Sequence, residues 1–314
     1  MFHKAVLLII FNRPSTTQKV FEAIRNEKPS RLYIAADAPR SGNQDDQRKC
    51  AQTRAFTEDI DWPCEVHRLY QENNLGCSLG PRTAFKWFFN YEEEGIILED
   101  DCVPHSDFFK FAEEMLNHFR DNPNIISING SNLGFELLNG ESYTFSRFMN
   151  MWGWATWRDR ADSIDYDLKE WKQVKRPLWF LYSHLKQHFF DTDINWYKYW
   201  QHKFDLTVKK PGVTWWDWQW IFHQISNKQL SIVPAVNLVT NIGFDVDATH
   251  TREKNNPAAN LPVQSITFPI VHPSQFKPNY KYEEHMKWVW CYHKRLPKLF
   301  YVKQFISSFI RPFK

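Results

Sequence analysis

Three consecutive carboxylates, Glu99, Asp100 and Asp101, directly follow the short apolar run at residues 95–98. A run of this length with β-branched residues is typical of a strand buried on both faces of a parallel sheet. The acids would then lie at the carboxyl end of that strand, where open α/β sheets bind ligands. Adjacent anions repel one another unless a cation or donors neutralise them, and Mg²⁺ or Mn²⁺ binds carboxylates together with substrate phosphates. The triplet therefore predicts either a metal site or a solvated acidic turn.

A fourth carboxylate, Asp217, lies within a tryptophan-rich stretch that leads into an apolar helical pattern. Its aromatic neighbours are Trp215, Trp216, Trp218 and Trp220. Burial in an apolar wall raises the pKa of a carboxyl group, and such a group can act as a general base near neutral pH. The alternative is an acid in the first turn of a helix, where it stabilises the helix dipole.

The elements that position these acids follow a regular alternation. Apolar runs at residues 5–11, 31–37, 64–69, 95–98 and 124–130 each predict a strand, with helical spacing between them. This alternation predicts an α/β fold whose mostly parallel sheet is flanked by helices. Neither a G-x-G-x-x-G fingerprint nor a Walker sequence occurs, which excludes the usual dinucleotide and P-loop sites.

Other polar residues lie at the ends of the predicted strands or at a helix start. Asn12 and Arg13 follow the first strand, and Asp37 ends the second. Arg82 follows the glycine-containing segment 76–80, near the start of a helix. The arginines could contact phosphate or a base, or could be surface charges. Asp37 could contact a ligand or form a turn.

The acidic segment at residues 98–104 (LEDDCVP) resembles the D-x-D-type motif of GT-A glycosyltransferases, in its Glu-Asp-Asp form. Residues 11–14 (FNRP) resemble the first nucleotide-binding turn of these enzymes, and residues 74–76 (NLG) resemble a turn that closes on the nucleotide. Residues 152–157 (WGWATW) are similar to a stretch near donor sugar and acceptor in related bacterial transferases. The order of these motifs along the chain carries the resemblance.

This resemblance implies a GT-A (Rossmann-like) fold and a set of site residues. It implies that Asp101 binds Mn²⁺ or Mg²⁺, which holds the diphosphate of a nucleotide sugar, and that a late-loop histidine, His250, completes the metal site. The implied nucleotide-binding residues are Asn12, Arg13, Asp37, Arg82, Glu99 and Asp100. The residues expected beside the donor sugar or acceptor are Trp152, Gly153, Trp154 and Trp216.

The implied activity is that of a metal-dependent inverting glycosyltransferase of the hexosyl or N-acetylhexosaminyl class, with Asp217 as catalytic base. The donor is a nucleotide-diphosphate sugar; UDP is the commonest nucleotide in the family, while GDP and dTDP stay open. The acceptor is a glycan or a lipid-linked glycan, as in bacterial polysaccharide or glycoconjugate biosynthesis. One alternative is a non-catalytic carbohydrate- or nucleotide-binding protein on the same fold. A sugar-nucleotide pyrophosphorylase fits less well because its glycine-rich N-terminal loop is missing.

The composition excludes one class of partner and favours one compartment. The 39 Lys and Arg against 36 Asp and Glu give a net charge of +3, which is too balanced for a nucleic-acid-binding protein. The 15 Trp, 12 Tyr and 26 Phe suit a packed core and also suit stacking on sugar rings. Five cysteines without a CxxC pair predict reduced thiols in the cytoplasm.

The chain divides into a domain and a tail. Residues 1–260 are expected to form the GT-A domain, with a nucleotide-binding half (1–130) and an acceptor half (131–260). Residues 261–314 are expected to run extended and then form a basic amphipathic helix. That helix, at residues 297–314, either packs on the domain or binds an anionic membrane surface. Without a signal peptide or spanning segment, we expect a cytoplasmic protein, free or peripheral at the inner membrane face.

Overall fold

A computed structural model describes residues 2–173, 194–210, 215–244 and 256–292 of the 314-residue chain. His250 and the tail at 297–314 lie outside these residues. The strands are β1 (Ala5–Ile10), β2 (Arg31–Ala36), β3 (Glu65–Tyr70), β4 (Glu94–Glu99), β5 (Cys102–Pro104), β6 (Ile125–Asn129), β7 (Tyr143–Ser146), β8 (Trp154–Trp157), β9 (Leu230–Pro234) and β10 (Val239–Asn241).

The helices of the same residues are α1 (Pro14–Glu27), α2 (Gln44–Ala55), α3 (Gly76–Tyr91), α4 (Ser106–Phe119), α5 (Arg158–Asp162), α6 (Lys169–Gln173), α7 (Ile194–Lys209), α8 (Asp217–Ser226) and α9 (Tyr280–Lys287). A π-helical turn, Trp288–Tyr292, follows α9. Within the described ranges, no helix has both the length and the apolar character needed to cross a bilayer.

Eight strands form one mixed sheet in the order β3-β2-β1-β4-β8-β6-β9-β7. The strands β3, β2, β1 and β4 run parallel, and β9 is parallel to β6. The strand β8 is antiparallel to both of its neighbours, β4 and β6, and β7 is antiparallel to β9. A separate antiparallel pair joins β5 to β10. The predicted α/β class, with a mostly parallel sheet flanked by helices, is confirmed.

The central strand β1 shows why these apolar runs become buried strands. Successive side chains of a strand point to opposite faces of the sheet. Leu7 packs in one core cluster with Phe85 and Phe88 of α3, whereas Leu8 packs in the other with Phe108 of α4. Because helices cover both faces, every position of such a strand must be apolar, which removes the polar alternation of a half-exposed strand.

The second half of the chain supplies helices and further strands of the sheet. In the described part of the aromatic stretch 162–203, helices cover Lys169–Gln173 and the residues from Ile194 on, and residues 163–168 lie between helices. The motif at residues 152–157 ends in β8, a strand inside the main sheet. Residues from both halves of the chain therefore complete one sheet.

Candidate active site

The acidic triplet lies at the carboxyl ends of two neighbouring parallel strands. Ile9 of β1 is paired with Glu99 of β4, so the chain leaving β1 lies beside the acids. The Phe11 backbone N–H donates to Asp100 Oδ2 over 3.1 Å. Pro14 then starts α1, where its fixed φ and missing N–H suit the first helical position. This turn holds Arg13 over the carboxylates.

Arg13 is the observed counter-charge of the triplet. Its Nη1 lies 2.6 Å from Asp101 Oδ2 and 3.6 Å from Asp100 Oδ1. All three side chains are largely buried, so water screens these contacts less than it would screen a surface ion pair. The structure therefore brings together three of the residues that the sequence placed in one site.

Asp101 is also held from the late part of the chain. Asn241 of β10 donates from Nδ2 to Asp101 Oδ1 over 3.3 Å, and the Ile242 N–H donates to the Asp101 carbonyl over 2.9 Å. A Cβ added to Gly243 would lie 2.0 Å from Asp101 Oδ2. The pairing of β5 with β10 thus brings residues 241–243 against the acid, and only glycine fits at position 243.

This contact gives a stability prediction for Gly243→Ala. The added methyl group collides with Asp101, and overpacking a buried site typically costs about 1–3 kcal/mol. We expect urea unfolding to show that loss. Gly80→Ala is the matched control, because a Cβ there meets Asp37 Oδ2 at an ordinary 3.6 Å inside α3. Equal stability of parent and Gly243→Ala would mean that the loop and Asp101 are not in contact.

Glu99 lies beside the two other acids and Arg13. Burial raises its pKa well above the ordinary range, and repulsion from Asp101, Asp100 and Asp217 raises it further, while Arg13 opposes this. A hard cation would relieve the repulsion among these carboxylates, and clustered carboxylate oxygens are the ligands that Mg²⁺ and Mn²⁺ prefer.

The residues fit such a cation in ligand type. In the part of the chain that the structure describes, no three His, Cys, Asp or Glu side chains are arranged to hold a metal ion. Asp101 now contacts Arg13, so a metal there would have to share or replace that contact. His250, the further ligand implied by the resemblance, lies outside the described residues.

Asp217 is the first residue of α8 and faces the same cluster. Burial raises its pKa to about 6, against hydrogen bonding by backbone N–H groups and the positive charge of Lys203. One of these donors is the Trp218 N–H, 3.1 Å from Asp217 Oδ1. Trp216, the residue before Asp217, stacks on Trp154, whose backbone pairs with Ile97, two residues before Glu99. A carboxyl with this pKa is ionised at neutral pH and can accept a proton.

The tryptophans around Asp217 form mainly a core. Trp154 of β8 stacks with Trp216 at 5.9 Å between ring centroids and meets Trp220 edge-on at 4.9 Å. Trp154 and Trp220 have no exposed surface, and Trp216 is 6% exposed. In this structure Trp154 therefore cannot contact a sugar directly, and it supports the wall from behind.

Trp152 is the more accessible member of the aromatic motif. It is half-buried and meets Phe244 and Trp290 edge-on, at 5.6 and 5.5 Å between centroids. The next residue, Gly153, has φ +62°, and a Cβ there would lie 2.8 Å from Val239 Cγ2. The glycine thus permits the tight turn that separates the indole of Trp152 from that of Trp154.

Asp37 uses its carboxylate to hold the start of α3. Oδ1 accepts from the Ala38 and Leu75 N–H groups over 2.9 and 2.8 Å. Oδ2 accepts from the Gly76 N–H over 2.8 Å and from Asn74 Nδ2 over 3.1 Å. Four donors occupy it, so in this structure Asp37 fixes the loop between β3 and α3 beside the site.

Asn12 and Arg82 also have protein partners. Asn12 Nδ2 donates to Asp46 Oδ1 over 2.7 Å, and hydrogen bonds chiefly from Arg40 lower the pKa of Asp46 to about 2. The Arg82 guanidinium lies 4.3 Å above the ring of Tyr166. These contacts tie α2 and α3 to the edge that carries the acids.

Sequence reasoning missed several supporting residues. Asn241 ends β10 and Gly243 lies two residues later, yet nothing local in a Thr-Asn-Ile-Gly run indicates that it meets residue 101. Lys203 was missed because its neighbours suggested only a helical face. The one available signal was the glycine after a short strand, since such a glycine often marks a close backbone approach.

No protein-family model matches the sequence, and no curated protein matches it. Among solved structures, a mannosyltransferase from Pyrobaculum calidifontis in complex with GDP-Man and Mn2+ has TM-score 0.32 and 13% identity, covering 50% of this chain and 45% of that chain. Mouse xyloside xylosyltransferase 1 has TM-score 0.35 and 10% identity, and the match covers 72% of this chain and 82% of that chain. HddC from Yersinia pseudotuberculosis has TM-score 0.31 and 11% identity, and the match covers 51% of this chain and 78% of that chain. All of these TM-scores are below 0.5, so the similarities are too weak to indicate an activity. Any assignment of activity must rest on the geometry of this chain.

Proposed function

We propose that the chain is a metal-dependent inverting glycosyltransferase that moves a sugar from a nucleotide-diphosphate sugar to a glycan or lipid-linked glycan. One observation carries this proposal. Trp154 connects the two acidic segments, because its backbone pairs with Ile97, two residues before Glu99, and its ring stacks on Trp216, the residue before Asp217. An acid cluster suited to a cation and a separate carboxyl suited to proton transfer thus share one site.

Asp217 would perform the proton transfer. The acceptor hydroxyl oxygen forms a bond to the anomeric carbon while the bond from that carbon to the diphosphate oxygen breaks. Asp217 takes the hydroxyl proton, and the diphosphate leaves with the bonding electron pair. Attack from the face opposite the leaving group inverts the anomeric centre. A positioned general base typically contributes about 10²–10⁴ in rate.

Asp101 and Arg13 would serve the leaving-group side. A divalent cation bound at Asp101, with His250 as proposed second ligand, would neutralise charge that develops on the diphosphate. Arg13 lies 2.6 Å from Asp101, so its guanidinium is already placed to contact phosphate oxygens. Glu99 and Asp100 would complete the cation's surroundings through water or the ribose.

The proposed sugar and nucleotide contacts are chosen by how exposed each side chain is and which protein partners it already has. Trp152 is the proposed stacking residue for a sugar, with Trp154 and Trp216 fixing the wall behind it. Asn12 and Arg82 are proposed nucleotide contacts, and both would have to share their present protein partners. Asp37 would act by positioning the start of α3.

A donor screen with released nucleoside diphosphate as readout tests the function. We expect Mn²⁺-dependent release from one of UDP-, GDP- or dTDP-hexoses or N-acetylhexosamines, with UDP as the first nucleotide to test. EDTA should abolish it. Metal-dependent nucleotide binding without release from any donor and acceptor would instead identify a binding protein.

The pH dependence of sugar transfer should follow the ionisation of the Asp217 carboxyl group. Its pKa is raised to about 6, and only the ionised form can accept the hydroxyl proton. Activity at saturating donor should therefore rise with pH through about 6 and level off above it. Nucleotide affinity, measured over the same range, separates this step from titration of the metal site. A flat profile between pH 5 and 8 would contradict the assignment.

We also propose that residues 297–314 place a cytoplasmic enzyme at an anionic membrane surface. The stretch combines apolar residues with Lys298, Lys303, Arg311 and Lys314. The protein should pellet with phosphatidylglycerol-containing vesicles at low salt and less so at high salt, because salt screens these charges. A chain ending at residue 296 should stay folded and lose the binding. An unfolded or insoluble truncated protein would support packing of this segment on the domain.

A further inference from the structure

A second cavity lies at the edge of the sheet opposite the acids. It has a volume of about 600 Å³, within the range of roughly 300–1,000 Å³ that is typical of small-molecule sites. Its floor is formed where parallel strands begin, at Lys4, Arg31, Glu65 and Glu94. A six-residue strand spans about 17 Å at ~3.3 Å per residue, so this cavity is separate from the proposed active site.

One wall of the cavity is aromatic and fixed from behind. The His67 ring stacks on Tyr33 with 4.5 Å between centroids, and Tyr91 stacks on His67 at 5.7 Å. Tyr33 is buried and its hydroxyl donates to Glu92 over 2.9 Å. Tyr91, at the end of α3, is 61% exposed. A buried, hydrogen-bonded tyrosine thus supports a cluster of three rings in which Tyr91 is the most exposed.

The rest of the lining includes carboxylates that already have cationic partners. Arg31 donates to both oxygens of Glu92 over 2.7 and 3.1 Å. Glu94 accepts from Arg120 over 2.9 and 2.6 Å and from Lys4 over 2.7 Å. These pairs fix donors and acceptors side by side. The lining holds four Lys or Arg and four Glu, so the cavity has no net charge to attract a phosphate or a metal ion.

We propose that this cavity binds a neutral saccharide, independently of the proposed transferase activity. The apolar face of a sugar ring would stack on the exposed ring of Tyr91, whose face attracts C–H groups that carry partial positive charge. Each hydroxyl both donates and accepts a hydrogen bond, and adjacent hydroxyls therefore match adjacent guanidinium and carboxylate groups. A purely apolar ligand would make no use of the hydrogen-bonding groups of these pairs, and the balanced charges of the lining favour neither an anion nor a cation.

The test is ligand-observed saturation-transfer NMR on the full chain, without nucleotide and with EDTA. The probes are glucose, galactose, mannose, xylose, N-acetylglucosamine and N-acetylgalactosamine. We expect saturable binding of at least one of them. Tyr91→Ala should weaken it about 2- to 12-fold, the range expected for one aromatic contact, while Tyr91→Phe should retain it.

Two further variants locate the binding. Tyr280→Ala removes a similarly exposed tyrosine, 54% accessible on α9, and should leave sugar binding unchanged. Asp217→Asn alters the other edge of the sheet and should also leave it unchanged. The proposal is overturned by absence of binding for all six sugars, by equal affinity of Tyr91→Ala and parent, or by loss of binding in Asp217→Asn. It is equally overturned if glucose 1-phosphate binds where none of the neutral sugars does.

Discussion

Sugar transfer by Asp217→Asn is expected to be at least ~10²-fold slower than transfer by the parent, with nearly unchanged nucleotide affinity. Asparagine keeps the size and shape of the side chain but cannot accept the proton of the acceptor hydroxyl. Rates from released nucleoside diphosphate, with affinity from titration calorimetry, measure both quantities.

The stability of this variant distinguishes catalysis from folding. Because burial raises the pKa of Asp217, the folded state binds its proton more tightly than the unfolded state does. Stability contributed by the neutral form is therefore lost as pH rises from the ordinary pKa through about 6. At pH 7 the ionised group destabilises the fold, so Asp217→Asn should be at least as stable as the parent. A near-parent rate would rule out Asp217 as the base, and Asp245 and Asp247 would be tested next.

Asp101→Ala is expected to abolish metal-dependent nucleotide binding. The change removes the proposed metal ligand and leaves Arg13 without its 2.6 Å partner. Titration of the nucleoside diphosphate with and without Mn²⁺ is the measurement, and the difference between the two affinities should vanish. His250→Ala should reduce that difference without removing it.

Loss of a buried ion pair could by itself destabilise the fold by several kcal/mol, so a matched control is needed. Glu283 of α9 supplies one, because it is also buried and pairs with Arg147 over 2.6 Å far from the acid cluster. Glu283→Gln should lower stability but keep the Mn²⁺ effect on nucleotide affinity. If Asp101→Ala binds metal and nucleotide like the parent, the metal assignment is wrong.

The first half of the chain was the easier part to predict. The runs that became β1, β2 and β4 are apolar throughout, and that signal survives because helices cover both faces of the sheet. The acids of residues 99–101 could be placed at a strand end from local sequence alone. Arg13 was placed after the first strand, as a contact for phosphate or a base or as a surface charge, and its pairing with Asp101 was not predicted.

The partners of these residues could not be predicted, because they depend on packing over long sequence separations. Trp154 and Trp152 are two residues apart in one motif, yet one is fully buried and the other half-exposed. Asp37 has the sequence context of a ligand contact, but Asn74 and the N–H groups at the start of α3 occupy it. Composition gives the number of aromatic rings and carboxylates, while only the tertiary structure decides which of them face solvent.

The place of β8 has a consequence for how the chain acquires its structure. Its backbone pairs with β4 from Glu94↔Trp157 to Ile97↔Trp154 and also with β6 at Ile128↔Ala155. During synthesis, one hydrogen-bonding edge of β4 therefore stays unpaired until residues 154–157 have left the ribosome. Such an edge invites pairing with other chains, and non-local strand pairing slows folding. The nascent protein is accordingly most vulnerable to aggregation in this interval, and a chain cut at residue 130 would keep that edge open permanently.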